Sequence, residues 1–513
     1  MVTAVLVDTV SIQNYVFAGN KLKENLGASQ LVENIYKGEL SEVLNKITSH
    51  EVDLNKWKEK PDEFIMINNS DIECEIGYIG GGNSLIFFRT ETLAKEFIYN
   101  WTKRLLINAP GLQTAVAVGK FNLDGNFKEQ LDNLYSKLNE NKNIYFPNTT
   151  LSKYGITADC PLSGLSAEIY HHEKDTGRYI SSLSNAKINA SSESQKLICK
   201  NFKKVLKDKY TFTSEIDKLG QRKSENHIAI VHIDGNGMGK RFKNCSNLVE
   251  IRKLSLSVAE ATIKSFNCLL QYIIDKIDLI EDDTGFQIHE EHGKRILPIR
   301  PIVLAGDDIT FVTDGRLGVH LAEKFIEFWT NEKVSDGEPL TACAGVAIIK
   351  TQYPFYRGYK LAEELCASAK KESREIDNGC FLDFYIATGG FSGSLEQIRK
   401  KHYRVEDGAL YYGPYILDKV KDNEKSIYKL KQGIRQMIDK NKWPRSKVKE
   451  LRSVLTLGKE ATKQFILDLN IRGIHLPEVS GSYSSEGWEN SVTPYFDMVE
   501  LMEFYPEYFL EIQ

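Results

Sequence analysis

Three aspartates stand where apolar strands end. Ile230-Val231-His232-Ile233-Asp234 is a mainly apolar run closed by a carboxylate. Leu304-Ala305-Gly306-Asp307-Asp308-Ile309-Thr310-Phe311 reads as two short strands joined by a tight turn with two adjacent acids. Behind Asp234 come Gly235-Asn236-Gly237-Met238-Gly239-Lys240, a glycine-rich stretch whose backbone N–H groups can approach a phosphate closely. An acid at the strand end can hold a cation beside that phosphate. Three converging carboxylates repel one another unless such a cation sits among them. Mg²⁺ or Mn²⁺ relieves the repulsion, and two such ions about 4 Å apart serve phosphoryl transfer, one activating the attacking oxygen and one the leaving group. A later amphipathic helix, Ala362–Lys371, ends in Lys370-Lys371. Either lysine has the reach for a triphosphate; a solvated helix face is the plainer reading of both. Alone, an Asp-rich turn is a hairpin tip. Its order and spacing relative to Asp234 point to a metal site.

Those residues need a frame, and the chain holds one twice. The first stretch reads as a strand at Ala4–Asp8, a helix at Leu26–Val43, and strands at Cys74–Ile79 and Ser84–Phe88 around Gly80-Gly81-Gly82-Asn83. A helix at Thr92–Ile107 and a strand at Gln113–Val118 complete it. The second repeats the pattern: His227–Asp234, a long helix at Leu248–Ile277, strands at Arg300–Ala305 and Ile309–Thr313, a helix at Gly318–Asn331 and a strand at Thr341–Ile349. A helix at Lys360–Glu375 and a strand at Cys380–Ile386 extend it. Both are β-α-β-β-α-β, in which the first and third strands are central neighbours. That order sets Asp234 beside Asp307 and Asp308. Residues 125–225, rich in Asn, Lys and Ser, read as an irregular connector. From Gly389 the chain turns helical, with helices expected at Tyr415–Asp439, opened by Pro414, and Arg445–Asn470. The expected organisation is a first unit at 1–124, the connector at 125–225, a second unit at 226–390 and a helical C-terminal unit at 391–513.

Composition narrows the class. The 513 residues carry a net charge of -4 with 42% hydrophobic and 27% charged residues, which excludes wholesale disorder; nothing in that balance predicts a sequence-independent DNA coater, and a local basic groove stays open. No apolar run approaches the about 20 residues of a membrane span. Met1–Val7 lacks the basic start of a signal peptide. The eight cysteines form no C-x-x-C pair and read as reduced thiols in a cytoplasmic protein. His289-Glu290-Glu291-His292 lacks a flanking ligand pattern and reads as a solvated loop.

The strand ending in Asp, the GDD hairpin and the following A-E-x-x-x-x-x-A-K helix resemble the palm domain of polymerases and GGDEF-type nucleotide cyclases. The closer resemblance is to the CRISPR polymerase family, the two-palm large subunit of type III CRISPR complexes. Ile12-Gln13-Asn14-Tyr15-Val16-Phe17, Leu26-Gly27-Ala28-Ser29 and Ala342-Cys343-Ala344-Gly345-Val346-Ala347-Ile348-Ile349 carry it across most of residues 1–390. It implies an α+β fold of two ferredoxin-like palms with a helical C-terminal domain, and synthesis of cyclic oligoadenylate signals from ATP. Carried over by position, Asp234, Asp307 and Asp308 are the ligands of two Mg²⁺ or Mn²⁺ ions. Gly235, Asn236, Gly237 and Met238 line a nucleotide phosphate, and Lys370 pairs with the triphosphate. A 3′- or 2′-hydroxyl attacks an α-phosphate and pyrophosphate leaves. The expected function is a pyrophosphate-releasing nucleotidyltransferase that makes a cyclic or linear oligonucleotide messenger from ATP or another NTP in antiviral defence. Ala305-Gly306 replaces the family's Gly-Gly, and the first palm keeps Asp8 but has Gly82-Asn83 in place of acids. No His-Asp dipeptide marks the family's nuclease domain, so a stand-alone relative is expected. The rival readings are a non-catalytic scaffold that binds nucleotide or RNA and a GGDEF-like cyclase acting on GTP. The two-palm layout argues against the second. Basic residues on the C-terminal helices, from Lys419 to Arg452, read first as a solvated face, the sharper alternative being a docking surface for an activating acidic protein or RNA.

Overall fold

The computed structural model describes the chain except for residues 145–149, 174–175, 220–225, 285–286, 377–378, 388, 390–392, 407, 418–422, 480, 482 and 511–513. The first sheet contains β1 (Val2–Val10), β2 (Cys74–Gly80), β3 (Asn83–Phe88) and β4 (Gln113–Phe121), in the order β2-β3-β1-β4 and antiparallel throughout. Its helices are α1 (Ile12–Phe17), α2 (Leu22–Ile35), α3 (Gly38–Ile47), α4 (Glu91–Asn108) and α5 (Phe127–Lys142). The single helix expected over Leu26–Val43 is therefore two. The chain breaks at Tyr36, whose buried hydroxyl donates to the Gly82 carbonyl at 2.5 Å and lies 2.7 Å from Thr9 Oγ1.

Residues 125–225 are more regular than their composition suggests. Besides α5, which packs on β4, they hold the hairpin β5 (Ile169–Glu173) and β6 (Thr176–Ile180), then α6 (Ser182–Asn201). The serines that read as loop are helix-packing residues: Ser184 and Ser191 are buried, and α6 lies along α2. A Cβ at Gly27 would fall 1.6 Å from the Lys187 carbonyl oxygen, so the crossing requires glycine there.

The second sheet contains β7 (His227–Gly235), β8 (Ile299–Ala305), β9 (Asp308–Asp314), β10 (Ala342–Lys350), β11 (Phe381–Ile386) and β12 (Tyr415–Ile416), in the order β8-β9-β7-β10-β11-β12. Only β10 and β11 run parallel. Its helices are α7 (Met238–Asn244), α8 (Leu248–Asp275), α9 (Gly318–Thr330) and α10 (Phe355–Glu375). Helices α9 and α10 cover opposite faces. A Cβ on Gly318 of α9 would meet Ala229 and Val346, whereas a Cβ on Gly345 would fall 2.0 Å from Ala362 O of α10. This double cover is why β10 is a continuous apolar run and does not alternate.

The palms clasp one another at matched irregularities. The ladder slips between Ile76 and Tyr78 in β2 and between Pro301 and Val303 in β8. Each bulge frees a carbonyl. Gly77 O accepts from Arg252 Nε of α8 at 2.6 Å, and Ile302 O accepts from Ser29 Oγ of α2 at 2.6 Å. Each palm's helix thus satisfies the other palm's bulge. Arg252 is fully buried and also donates to Ile76 O at 2.6 Å and Glu63 O at 2.7 Å.

The C-terminal part is helical, with α11 (Ile427–Ile438), α12 (Arg445–Leu455), α13 (Lys459–Ile471) and α14 (Tyr495–Leu501). Two expected helices are shorter than read. Pro414 opens the edge strand β12, not a helix, because one Asp497 oxygen gathers Tyr412 N, Gly413 N and the Tyr415 hydroxyl at 2.9, 3.1 and 2.7 Å. The helix expected over Arg445–Asn470 breaks at Gly458, where φ is 98°. His289–His292 also departs from a loop: Glu290–Glu291 pairs with Lys294–Arg295 around His292 and Gly293, both at positive φ. Among the described residues no helix is long and apolar enough to cross a membrane. None of the eight cysteines forms a disulfide.

Arg252→Ala strips partners from four carbonyls at the palm–palm contact, those of Pro61, Glu63, Ile76 and Gly77. The expected loss is about 3 kcal/mol or more of unfolding free energy. Arg252→Lys should recover little of it, since one ammonium cannot reproduce the fork. Urea unfolding of both variants measures this; a loss under about 1 kcal/mol contradicts the clasp.

Candidate active site

The register of β7 against β9 decides what the acids can do. Asp308 is the direct cross-strand partner of Asp234. Residues 306 and 307 form the two-residue turn between β8 and β9, with Gly306 at φ 65°. Positive φ at the first turn position suits the twist of a tight hairpin. Gly235 N donates to Asp307 O at 3.0 Å, which ties the turn to the end of β7. The three acids are thereby neighbours at one sheet end, as their spacing predicts.

Their electrostatics record the crowding. Asp307 is pushed up to about 6 and Asp308 to about 7, first by burial and then by the charge of Asp234. Asp308 Oδ1 is buried without a hydrogen-bond partner and lies 3.6 Å from His232 Nδ1. Burial pulls the His232 pKa down, so the ring faces Asp308 as a neutral group. Its Nδ1 lies 3.2 Å from Thr310 Oγ1. Asp234 is engaged otherwise: Lys370 Nζ of α10 is 2.5 Å from its Oδ2 and donates to Gly235 O at 3.1 Å. Lys371 is exposed. Among the described residues no three His, Cys, Asp or Glu side chains are gathered into a ready metal-binding group. The donor chemistry nonetheless fits a hard cation, with burial and the charge of Asp234 raising the pKa of Asp307 and Asp308 and one buried oxygen left over.

The phosphate-lining stretch is less free than expected. The N–H groups of Gly235 and Asn236 are spent on Asp307 O and, at 2.7 Å, Thr341 O. The Asn236 amide braces Thr341, Ser373 and Gly379, each at 3.2 Å. Gly237, at φ 69°, opens α7 with space around it, and Met238 is buried.

Two features escaped the sequence reading. Gln13 of α1 donates to Asp308 Oδ2 at 3.3 Å from the other palm. Lys142 of α5 pairs with Asp8, and Asp8 faces Asn83 across the strands as Asp234 faces Asp308. Lys142 lies as far along its helix from Phe127 as Lys370 does from Phe355, a repeat that was present in the sequence. The first palm thus keeps the lysine–aspartate pair and loses the hairpin acids. On the C-terminal helices the basic side chains are largely committed: Lys425, Lys431, Lys442, Arg445, Lys447 and Arg452 pair with Glu372, Glu323, Asp439, Glu503, Glu450 and Glu500. Lys419 and Lys421 lie outside the described residues.

Residues 227–378 match the family model described as Cas10/Cmr2, second palm domain. No curated protein matches the chain. Among solved structures, the fold resembles a chain of the Csm1–Csm4 cassette in complex with AMPPNP, at 13% identity and a TM-score of 0.50, covering 98% of this chain and 69% of that one. It likewise resembles the cassette in complex with pppApA, at 13% identity and a TM-score of 0.51, with the same 98% and 69% coverage. At that identity the likeness is one of fold.

The raised pKa values carry a sign. The folded chain holds protons on Asp307 and Asp308 above the ordinary value of 3.8, so rising pH removes them at a cost to the folded state. Without divalent ions, stability should fall between about pH 4 and pH 7. Asp307→Asn with Asp308→Asn should flatten that fall and gain about 1–3 kcal/mol at pH 7.5. Chemical unfolding across pH in a chelator measures it; parallel profiles for both proteins would refute the crowding.

Proposed function

We propose that this chain, whose residues 227–378 belong with the second palms of the Cas10/Cmr2 family, is a metal-dependent nucleotidyltransferase. It joins ATP, or another NTP, into a cyclic or linear oligonucleotide messenger, in the cytoplasm and in antiviral defence. On this reading residues 1–124 are a degenerate palm and residues 226–390 the catalytic one, with the connector and the helical unit around them. The observation that carries it is the Asp234–Asp308 cross-strand pair beside Asp307, an acid cluster kept despite its cost.

Asp234, Asp307 and Asp308 would hold two Mg²⁺ or Mn²⁺ ions, which when bound offset negative charge on the phosphates. Lys370 supplies a cation at the same sheet end and shifts from Asp234 toward the triphosphate. Open backbone at Gly237 admits the phosphates near α7. A ribose hydroxyl of one nucleotide forms the new O–P bond at the α-phosphorus of the next. The α–β anhydride bond breaks, pyrophosphate leaves, and the hydroxyl proton passes to water. An activating protein or RNA docks on the C-terminal helices.

A second reading has its own support. Asp234 is held by Lys370 much as Asp8 is held by Lys142, and an acid so neutralised suits a nucleotide-binding scaffold without chemistry. Incubating the full chain with each NTP and Mg²⁺ or Mn²⁺, with mass spectrometry of products, separates the two. The enzyme reading expects an oligonucleotide and pyrophosphate, from ATP first. Asp307→Asn with Asp308→Asn should cut turnover at least about 100-fold, and Asp8→Ala by less than about 10-fold. Nucleotide binding without product from any NTP would leave the scaffold.

A further inference from the structure

Helix α1 sits between the two hairpin tips and touches both. On its own side, the Ile12 side chain packs on Gly82: a Cβ there would fall 2.1 Å from Ile12 Cδ1, at a position where φ is 76°. On the other side, the next residue, Gln13, donates its amide to Asp308 Oδ2 at 3.3 Å. Three further features fix α1. Ser11 enters it in the left-handed region, at φ 54°. Buried Lys187 of α6 donates to Tyr15 O at 2.6 Å, its ammonium 4.2 Å from the Tyr15 ring centroid. Phe17 stacks on Tyr359 of α10, ring centroids 3.5 Å apart. A side chain carried on a segment held from three elements is preorganised.

We propose that Gln13 is a positioning residue for the second palm's acid cluster, so that the site is completed by the first palm. This rests on the reading of Asp234, Asp307 and Asp308 as a divalent-ion site. The chemistry of the side chain suits the task. A carboxylate with crowding acids beside it needs a donor to fix its plane. A lysine or arginine in place of Gln13 would compete with a cation for Asp308, as Lys370 does at Asp234. A neutral amide orients the carboxylate and leaves its charge for the ion. Gln13 holds Oδ2, so the rotation of the whole group is set, and the unpartnered Oδ1 is set with it. Among the described residues, the first palm's hairpin shows no equivalent: Asn83 Oδ1 is buried without a partner. The support runs one way, from the degenerate palm to the acid-bearing one.

Mn²⁺ titration of the full chain, followed by electron paramagnetic resonance with and without ATP, tests this. Gln13→Met keeps the length of the side chain and removes the donor. It should weaken Mn²⁺ binding about fivefold to tenfold while leaving the thermal midpoint unchanged. The same substitution placed on Asp308→Asn should have no further effect, because its target charge is gone. Equal Mn²⁺ affinity in Gln13→Met and the natural chain overturns the proposal. So does a loss of the same size in the Asp308→Asn background, which marks a general structural effect. Failure of the natural chain to take up Mn²⁺ at all overturns the metal-site reading, and this proposal with it.

Discussion

Everything at the candidate site follows from one antiparallel register. With Ile233 opposite Ile309, Asp308 must stand opposite Asp234, and the turn that precedes it must bring Asp307 alongside. Shifting the pairing by one residue would turn every side chain of β9 to the other face. The register is not negotiable, because the sheet is buried on both faces: Phe311 and Val312 have no solvent side to slip toward. The protein therefore holds like charges together with core packing. The cost appears as raised pKa values and one carboxylate oxygen without a partner.

The same register occurs in the first palm with a different outcome. Asp8 faces Asn83, and the charge left over is met by Lys142. One palm sets a single carboxylate against a lysine, and the other crowds three carboxylates around one. Their union is reciprocal, with Arg252 and Ser29 each closing a bulge in the opposite palm. Those bulges lie in the strands that lead to the two hairpins. The palms thus share the job of setting hairpin geometry, and Gln13 extends that sharing to a carboxylate.

Strands were legible in the sequence because double-sided burial leaves unbroken apolar runs such as Ala342–Ile349. The β-α-β-β-α-β order then put Asp234, Asp307 and Asp308 together without any distance being known. Contacts between distant segments were not legible. Nothing local to Ile12-Gln13 shows that it meets residue 308, since that depends on how the palms dock. Asn236 reads as a phosphate neighbour until Ser373 and Gly379 are brought to it. Helix α6 was hidden because serines that pack closely against α2 have the composition of a loop. Tyr415 was misassigned because Asp497, far along the chain, sets its conformation.

The central claim is that the second palm's acids, and not the first palm's, form the cation-and-nucleotide site. Crystals of the full chain grown with Mn²⁺ and a non-hydrolysable ATP analogue, measured at the manganese absorption edge, test it directly. The account predicts anomalous density against Asp234, Asp307 and Asp308, with Lys370 turned from Asp234 to phosphate and no manganese at Asp8. Manganese at Asp8 and Asn83, or nucleotide bound while Lys370 stays on Asp234 and no metal appears, would contradict it.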